Sequence, residues 1–268
     1  MGFQATIKVL RTMEELKGVR ELEQIVWGMD PLPLHQTFTA SRNGGLLLGA
    51  YDRERLIGFS YSFPGFAERK PYLCSHMLAV HPDYRGRQIG WRLKQEQRRK
   101  AIDFGYDLIV WTYDPLLSRN AHLNLHKLGG VAVAYEPNLY GEMEDRLNRG
   151  LPSDRFKIHW QLGETVKNLR MPEILPDRVW LDAELDSTGM PAAVDGSCGR
   201  KVSDQSDWFV AIPADFLSIK QQHLDLAIDW RRKSGEAFAT LFGEGFVAPE
   251  FVKSASGQPW HYYWFTKK

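Results

Sequence analysis

Apolar positions along the first 162 residues change their period several times, and each change predicts a new element. Between residues 12 and 28 they recur at helical spacing, and Thr12 with Glu15 forms a capping-box pattern at the start. Two apolar runs, 45–51 and 55–63, flank a short charged turn and predict a β-hairpin. The same rules predict further strands at 7–10, 72–80, 108–112, 131–135 and 156–162, and helices at 34–38, 86–104 and 119–128.

The pattern changes after residue 162. Residues 171–199 are rich in proline and glycine, which predicts a long irregular connection with one strand at 179–181. A strand at 208–212, a helix at 213–235 and a mixed aromatic stretch at 237–265 follow. This contrast predicts two domains, a first of residues 1–162 and a C-terminal α+β lobe of residues 163–268.

Composition narrows the class of protein. The 34 basic and 33 acidic residues nearly cancel, so no overall field attracts nucleic acid or an anionic membrane. With only two cysteines, and no apolar run near the roughly 18 residues that span a bilayer, a cytoplasmic protein without a membrane segment is expected. The N-terminal residues also lack the apolar core of a signal peptide.

Charge is nevertheless uneven locally. Residues 85–100 hold seven basic side chains and one acidic one, Glu96. Such a run is either a solvated helix face or a site for a phosphorylated ligand. Here a predicted strand leads into a basic, glycine-containing loop that opens directly into a helix. Free N–H groups at a helix N-terminus, aided by the helix dipole, bind anions.

The stretch 78–90 resembles motif A of the GNAT (N-acetyltransferase) superfamily. The residues that match its pattern are Val80, Pro82, Arg85, Gly86 and Gly90, while Gln88 stands where a glycine is usual. In this family the loop binds the pyrophosphate of coenzyme A (CoA). The resemblance therefore assigns CoA binding to Leu78, Ala79, Val80, Arg85, Gly86, Arg87, Gln88, Ile89 and Gly90.

The stretch 120–129 is similar to motif B of the same family, a helix that flanks the pantetheine arm. Aligned on Gly129, the usual asparagine falls on Ser118, and the tyrosine that protonates the departing thiolate in many relatives falls on Leu125. The resemblance assigns Asn120, Asn124 and Lys127 to CoA binding. The string 111–116 resembles a branch of long GNAT proteins with an extra C-terminal region, which implies substrate contacts at Trp111 and Asp114.

The family resemblance implies an α/β fold, a mixed sheet with a splayed central parallel pair flanked by helices. The pair would be 73–80 and 108–112, with the pantetheine arm inserted in the gap. The amine would attack directly in a ternary complex. We expect His76 as the base, with a packed strand histidine as the alternative, and Tyr140 as the acid, with a packed loop tyrosine as the alternative.

The expected function is transfer of an acetyl or succinyl group from acyl-CoA to the amine of a small molecule, with amino acids among the acceptors. The alternative is a non-catalytic acyl-CoA-binding sensor or scaffold, because Gln88 and Leu125 depart from the family pattern. A third reading is acylation of protein lysine or an aminoglycoside. No metal is expected, since His122 and His126 lack a third ligand. A homodimer is compatible with the sequence.

Overall fold

The computed structural model describes residues 4–28, 30–143, 145, 149–163, 171–196, 200–254 and 257–267. The chain divides into two units. The first comprises Met1–Trp111, Glu144–Leu147 and Trp160–Glu164, and the second comprises Thr112–Met143, Asn148–His159 and Thr165–Lys268. The functional division expected after residue 162 stays a prediction.

The first unit contains a mixed sheet. Its strands, in spatial order, are β1 (Thr6–Val9), β2 (Leu46–Asp52), β3 (Arg55–Ala67), β4 (Lys70–Val80) and β5 (Leu108–Tyr113), whose last two residues belong to the second unit. The first four strands pair antiparallel in sequence order, whereas β4 and β5 pair parallel. The predicted hairpin and the central parallel pair are therefore confirmed.

Helices cover both faces of this sheet. They are α1 (Met13–Trp27), α2 (Leu34–Arg42) and α3 (Ile89–Asp103). Because strand side chains alternate between faces, Leu47 packs with α1, while Leu46 and Leu48 pack with α3. The predicted capping box is present at the start of α1, where the Glu15 N–H donates to Thr12 Oγ1 over 3.3 Å.

The second unit contains another mixed sheet. Its strands, in spatial order, are β7 (Arg155–Gln161, whose last two residues belong to the first unit), β6 (Val131–Glu136), β11 (Phe246–Val252), β12 (Trp260–Lys267), β10 (Asp207–Pro213), β8 (Val179–Leu185) and β9 (Pro191–Asp195). The pair β10 and β8 is parallel and the other neighbours are antiparallel. The helices are α4 (Ser118–Ala121), continued by a π-helical segment (His122–Lys127), then α5 (Phe216–Gln222) and α6 (Leu224–Gly243).

Three predicted elements are corrected. The connection 171–199 holds a hairpin, β8 and β9, where one short strand was predicted. Strand β9 lies at the sheet edge, where its first residue, Pro191, pairs with Leu185 although it has no N–H to donate. The single helix predicted at 213–235 is two helices that meet at His223, whose φ of −141° interrupts the helical path. Helix α3 begins at Ile89, three residues later than predicted.

In the part of the chain described here, no helix is both long and apolar enough to cross a membrane.

Candidate active site

A β-bulge in β4 lies at His76. Tyr61 of β3 pairs with Met77, but its neighbour Ser62 pairs with Ser75, so His76 is the extra residue between two partners. A bulge bends its strand and increases its twist. Accordingly, the pairing of β4 with β5 covers only Leu73 with Ile109 and Cys74 with Val110, although β4 continues to Val80. The bulge thus accounts for the splay of the central parallel pair.

The bulge also changes which side chains face α3. Ser75, before the bulge, is bonded to a side chain of α3, and after it Leu78 and Val80 pack on the same side. His76 lies against the aromatic rings of Tyr61 and Phe63, with ring centroids 6.2 and 5.6 Å away. Its ring stays accessible to solvent, yet partial burial lowers the pKa of His76 below its ordinary value. A neutral imidazole at pH 7 can accept a proton.

The loop after β4 has an unusual backbone. Gly86 has φ of +79° and Gln88 has φ of +59°, both in the left-handed region that favours glycine. Helix α3 begins directly after Gln88, so the N–H groups of its first turn have no partner within the helix. Arg85 and Arg87 are exposed beside this turn. Such an arrangement of free N–H groups and cations can hold a phosphate.

The basic run 85–100 divides into two parts with different surroundings. Towards the end of α3, Arg99 donates to Glu96 over 2.6 Å, and Lys100 lies 3.8 Å from Asp103. This part is a solvated helix face with internal ion pairs. The loop part, with Arg85 and Arg87, has the geometry expected of an anion site.

Lys94 is a buried cation that the sequence reasoning missed. It is 2% exposed, and its Nζ donates to Ser75 Oγ over 3.0 Å and to Gln97 Oε1 over 2.9 Å. Burial lowers the pKa of Lys94 to about 7. Trp111, predicted to contact substrate, is itself buried beneath this ammonium. The spacing of Lys94 with the apolar face of α3 is the signal that could have revealed its burial.

Tyr140 lies in the connection between β6 and β7, within the second unit. Its hydroxyl is 3.0 Å from Thr112 Oγ1, and its side chain is 48% exposed. The guanidinium of Arg155 lies 5.3 Å from the centre of the Tyr140 ring. The phenol is therefore oriented by Thr112 while remaining accessible to a ligand.

Asp114, the other predicted substrate residue, is enclosed by the protein. Its two carboxylate oxygens accept from the two Nη atoms of Arg231, over 3.0 and 2.5 Å, and one of them also accepts from the Leu116 N–H. The structure places this carboxylate in a buried ion pair of the second unit.

The helix predicted to resemble motif B is partly π-helical. Asn120 and Lys127 are exposed and Asn124 is buried. Because a π-helical turn adds a residue, side chains after His122 are rotated from the positions that an α-helical alignment assumes. Leu125, where the alignment places the family's tyrosine, is buried.

His122 and His126 lie ring against ring on the same side of the π-helical segment. Their rings are stacked with centroids 4.7 Å apart, and His126 Nδ1 lies 3.1 Å from Glu250 Oε1. Burial is the largest cause that lowers the pKa of His122, to about 4. Within the described ranges, no group of three or more His, Cys, Asp or Glu side chains is placed to hold a metal ion.

Comparison with known proteins identifies the class of the first part of the chain. Residues 13–129 match the model of the acetyltransferase (GNAT) family. The NatC complex bound to Gag peptide and CoA contains a chain that is 19% identical, with 60% of this chain and 99% of that chain covered and a TM-score of 0.50. The ribosomal-protein-S18-alanine N-acetyltransferase from Escherichia coli is 15% identical, with 63% and 100% covered and a TM-score of 0.50. A search of curated protein sequences returned no match.

At a TM-score of 0.50, both structures share the overall fold of the matched part of this chain. The chain therefore carries a GNAT acetyltransferase domain at residues 13–129, and the family resemblance drawn from the sequence is confirmed. At these identities the solved structures establish the fold alone.

Proposed function

We propose that this protein is a CoA-dependent N-acyltransferase that moves an acetyl or succinyl group from acyl-CoA to the amine of a small molecule. Amino acids are the acceptor class that we favour. The observation that carries the proposal is the bulge at His76, because it opens the central parallel pair on β4, the strand that leads into the proposed anion-binding loop. In acyl-CoA, the thioester would lie at the opened strand pair and the diphosphate at the loop.

For the loop, we propose that the CoA pyrophosphate accepts from backbone N–H groups of residues 86–90, with Arg85 and Arg87 supplying charge. Leu78, Ala79 and Val80 would pair with the peptide-like pantetheine arm through their backbone. Asn120, Asn124 and Lys127 remain the residues proposed to flank the ligand from the π-helical segment.

For the chemistry, the acceptor must lose a proton, since a free amine is mostly protonated at neutral pH. We propose that His76 accepts this proton, for which its lowered pKa keeps the imidazole neutral. The amine nitrogen then attacks the thioester carbonyl, and the C–S bond breaks as the tetrahedral intermediate collapses. The nitrogen releases its second proton as the amide forms, which balances the proton that the departing thiolate takes up. The extra residue of a bulge leaves the strand ladder, so the His76 N–H is suited to stabilise the oxyanion.

The departing thiolate needs a proton. We propose that the Tyr140 hydroxyl donates it, because Thr112 orients this phenol and the ring is accessible. We still propose that Trp111 and Asp114 affect substrate binding. Because both side chains are buried, they would act by positioning the residues around them.

The test is a screen for acyl transfer with the full chain. Acetyl-CoA or succinyl-CoA is mixed with a panel of amino acids, polyamines and aminoglycosides, and release of CoA thiol is followed with a chromogenic thiol reagent. We expect turnover with one amine class and one donor. His76→Ala should abolish most of it, whereas His35→Ala, an exposed histidine of α2, should not.

The contrary outcome is specific. Saturable binding of acyl-CoA without turnover on any amine would overturn the enzymatic proposal and favour the acyl-CoA sensor instead.

A further inference from the structure

We propose that Arg231 of α6 is a positioning residue that fixes Tyr140 in the orientation its acid role requires. This inference rests on the proposed function, in which Tyr140 protonates the leaving thiolate. All the contacts that carry it lie within the second unit.

Ser153 forms hydrogen bonds with the backbone around Tyr140. Its hydroxyl accepts from the Tyr140 N–H over 2.9 Å and donates to the Gly141 carbonyl over 2.8 Å. Its carbonyl accepts from the Leu139 N–H over 3.1 Å, and its own N–H donates to Asn138 Oδ1 over 3.1 Å. Because Ser153 is fully buried, these bonds do not compete with water.

Asp154, the next residue, forms hydrogen bonds at the start of the loop that carries Tyr140. One carboxylate oxygen accepts from the Asn138 N–H over 3.0 Å, and the other accepts from the Tyr135 hydroxyl over 2.6 Å. The carboxylate is 4% exposed. A nearby cation lowers the free-energy cost of keeping such a buried carboxylate ionised.

Arg231 supplies that cation. Its Nη1 lies 3.8 Å from Asp154 Oδ2, and the same guanidinium makes the bidentate pair with Asp114. Arg231 therefore joins two carboxylates from different parts of the sheet: Asp154 immediately precedes β7, and Asp114 immediately follows β5. Asp114 stands two residues after Thr112, which contacts the Tyr140 hydroxyl.

Both ends of Tyr140 are consequently held by groups that Arg231 joins. The backbone is held through Ser153 and Asp154, and the hydroxyl is held through Thr112, which lies on β5 just before Asp114. Close packing of α6 supports this arrangement, because a Cβ at Gly235, one turn after Arg231, would lie 2.6 Å from the Tyr135 hydroxyl. The helix of the C-terminal region is thus part of the support for the proposed acid.

The experiment combines kinetics and hydrogen exchange on the full chain. The variants are Arg231→Lys and Ser153→Ala, and the control is Arg232→Met, which changes the next, solvent-exposed arginine of α6. Backbone exchange is measured for residues 136–143. Turnover is measured with acetyl-CoA and the acceptor found in the amine screen.

We expect faster exchange in both variants and a kcat that falls by roughly ten- to hundredfold, since small misplacements of a reacting group have effects of this size. The KM for acetyl-CoA should stay within about twofold of wild type, as the donor loop is untouched. Arg232→Met should match wild type in every readout. In a Tyr140→Phe background, neither variant should lower kcat further, because the group being positioned is absent.

Arg231→Met is the stronger but riskier variant, since it leaves two buried carboxylates without a cation and can prevent folding. Ser153→Ala keeps the inference testable because it removes only the link to the loop. Unchanged exchange in both Arg231→Lys and Ser153→Ala, or faster exchange with unchanged kcat, would overturn the inference. Full kcat in Tyr140→Phe alone would instead be a failure of the proposed acid role.

Discussion

The ammonium of Lys94 lies 3.7 Å from the centre of the Trp111 ring, inside the first unit. Its hydrogen-bond acceptors, Ser75 and Gln97, are neutral. These two bonds and the ring contact therefore replace only part of the hydration free energy that the ammonium loses on burial. This explains why burial dominates the lowered pKa of the side chain. It also makes the stability of this unit dependent on pH in a defined direction.

Replacing Lys94 by methionine should flatten that pH dependence. The pKa of Lys94 is about 7 in the folded protein and has its ordinary, higher value when unfolded, so the unfolded state binds more protons in between. Lys94 therefore destabilises the fold fully below pH 7, and the penalty disappears as the pH rises towards the unfolded pKa. From pH 6 to pH 10, wild type should gain about 4 kcal/mol relative to Lys94→Met.

Urea unfolding at both pH values measures this difference, with Lys100→Met as the control, because this lysine of the same helix is 27% exposed and pairs with Asp103. Parallel pH dependence of unfolding in wild type and Lys94→Met would show that Lys94 titrates normally.

The pH profile of turnover tests the role of His76. Because burial lowers its pKa, the neutral base should accumulate at lower pH than for an ordinary histidine, so the rising limb of kcat/KM that reports His76 should have its midpoint below the ordinary histidine pKa. His76→Ala should lose this limb and turn over roughly a hundredfold more slowly across pH 6 to 9. Full activity of His76→Ala in that range would remove the residue from the mechanism.

Tyr140→Phe should lower kcat by roughly a hundredfold or more, the usual loss when a general acid is removed. Thr112→Val, which removes only the partner of the hydroxyl, should have a smaller effect in the same direction. Steady-state rates for both variants check this order. An unaltered rate in Tyr140→Phe would mean that another group protonates the departing thiolate.

Gln88→Gly should stabilise the fold. Gln88 has φ of +59°, where a side chain costs about 1 kcal/mol that glycine avoids. The free energy of unfolding in urea should rise by about that amount in Gln88→Gly, while Gln88→Ala should not gain. A destabilised Gln88→Gly would mean that the Gln88 side chain makes compensating contacts.

The sequence predicted the elements whose signals are local. The capping box of Thr12 and Glu15, the hairpin and the motif A loop all depend on residues a few positions apart, and all three appear in the fold. The start of α3 was placed too early because helical periodicity does not report that Gly86 and Gln88 are left-handed. The strand β9 was missed because its first residue is a proline, which is tolerated only at an edge.

Contacts between distant residues could not be predicted in this way. Arg231 and Asp114 are 117 positions apart, and neither residue's neighbours indicate the other. Likewise, the basic composition of the run around Lys94 concealed the burial of this lysine, which only its spacing with the apolar face of α3 indicates. The π-helical turn at His122 was hidden because an alignment on Gly129 assumes an α-helix. The predicted roles of His76 and Tyr140 stay predictions, as no ligand contact tests them.

A thermal-shift titration with CoA, acetyl-CoA and succinyl-CoA tests most directly the claim that the loop before α3 binds acyl-CoA. Ligand at 100 times its Kd should stabilise the fold by about 2.7 kcal/mol, a visible rise in Tm. Arg85→Ala should weaken this response, and Arg20→Ala, an exposed arginine of α1, should retain it. A Tm that does not move with any of the three at millimolar concentration would contradict the account and reduce the loop to a structural turn.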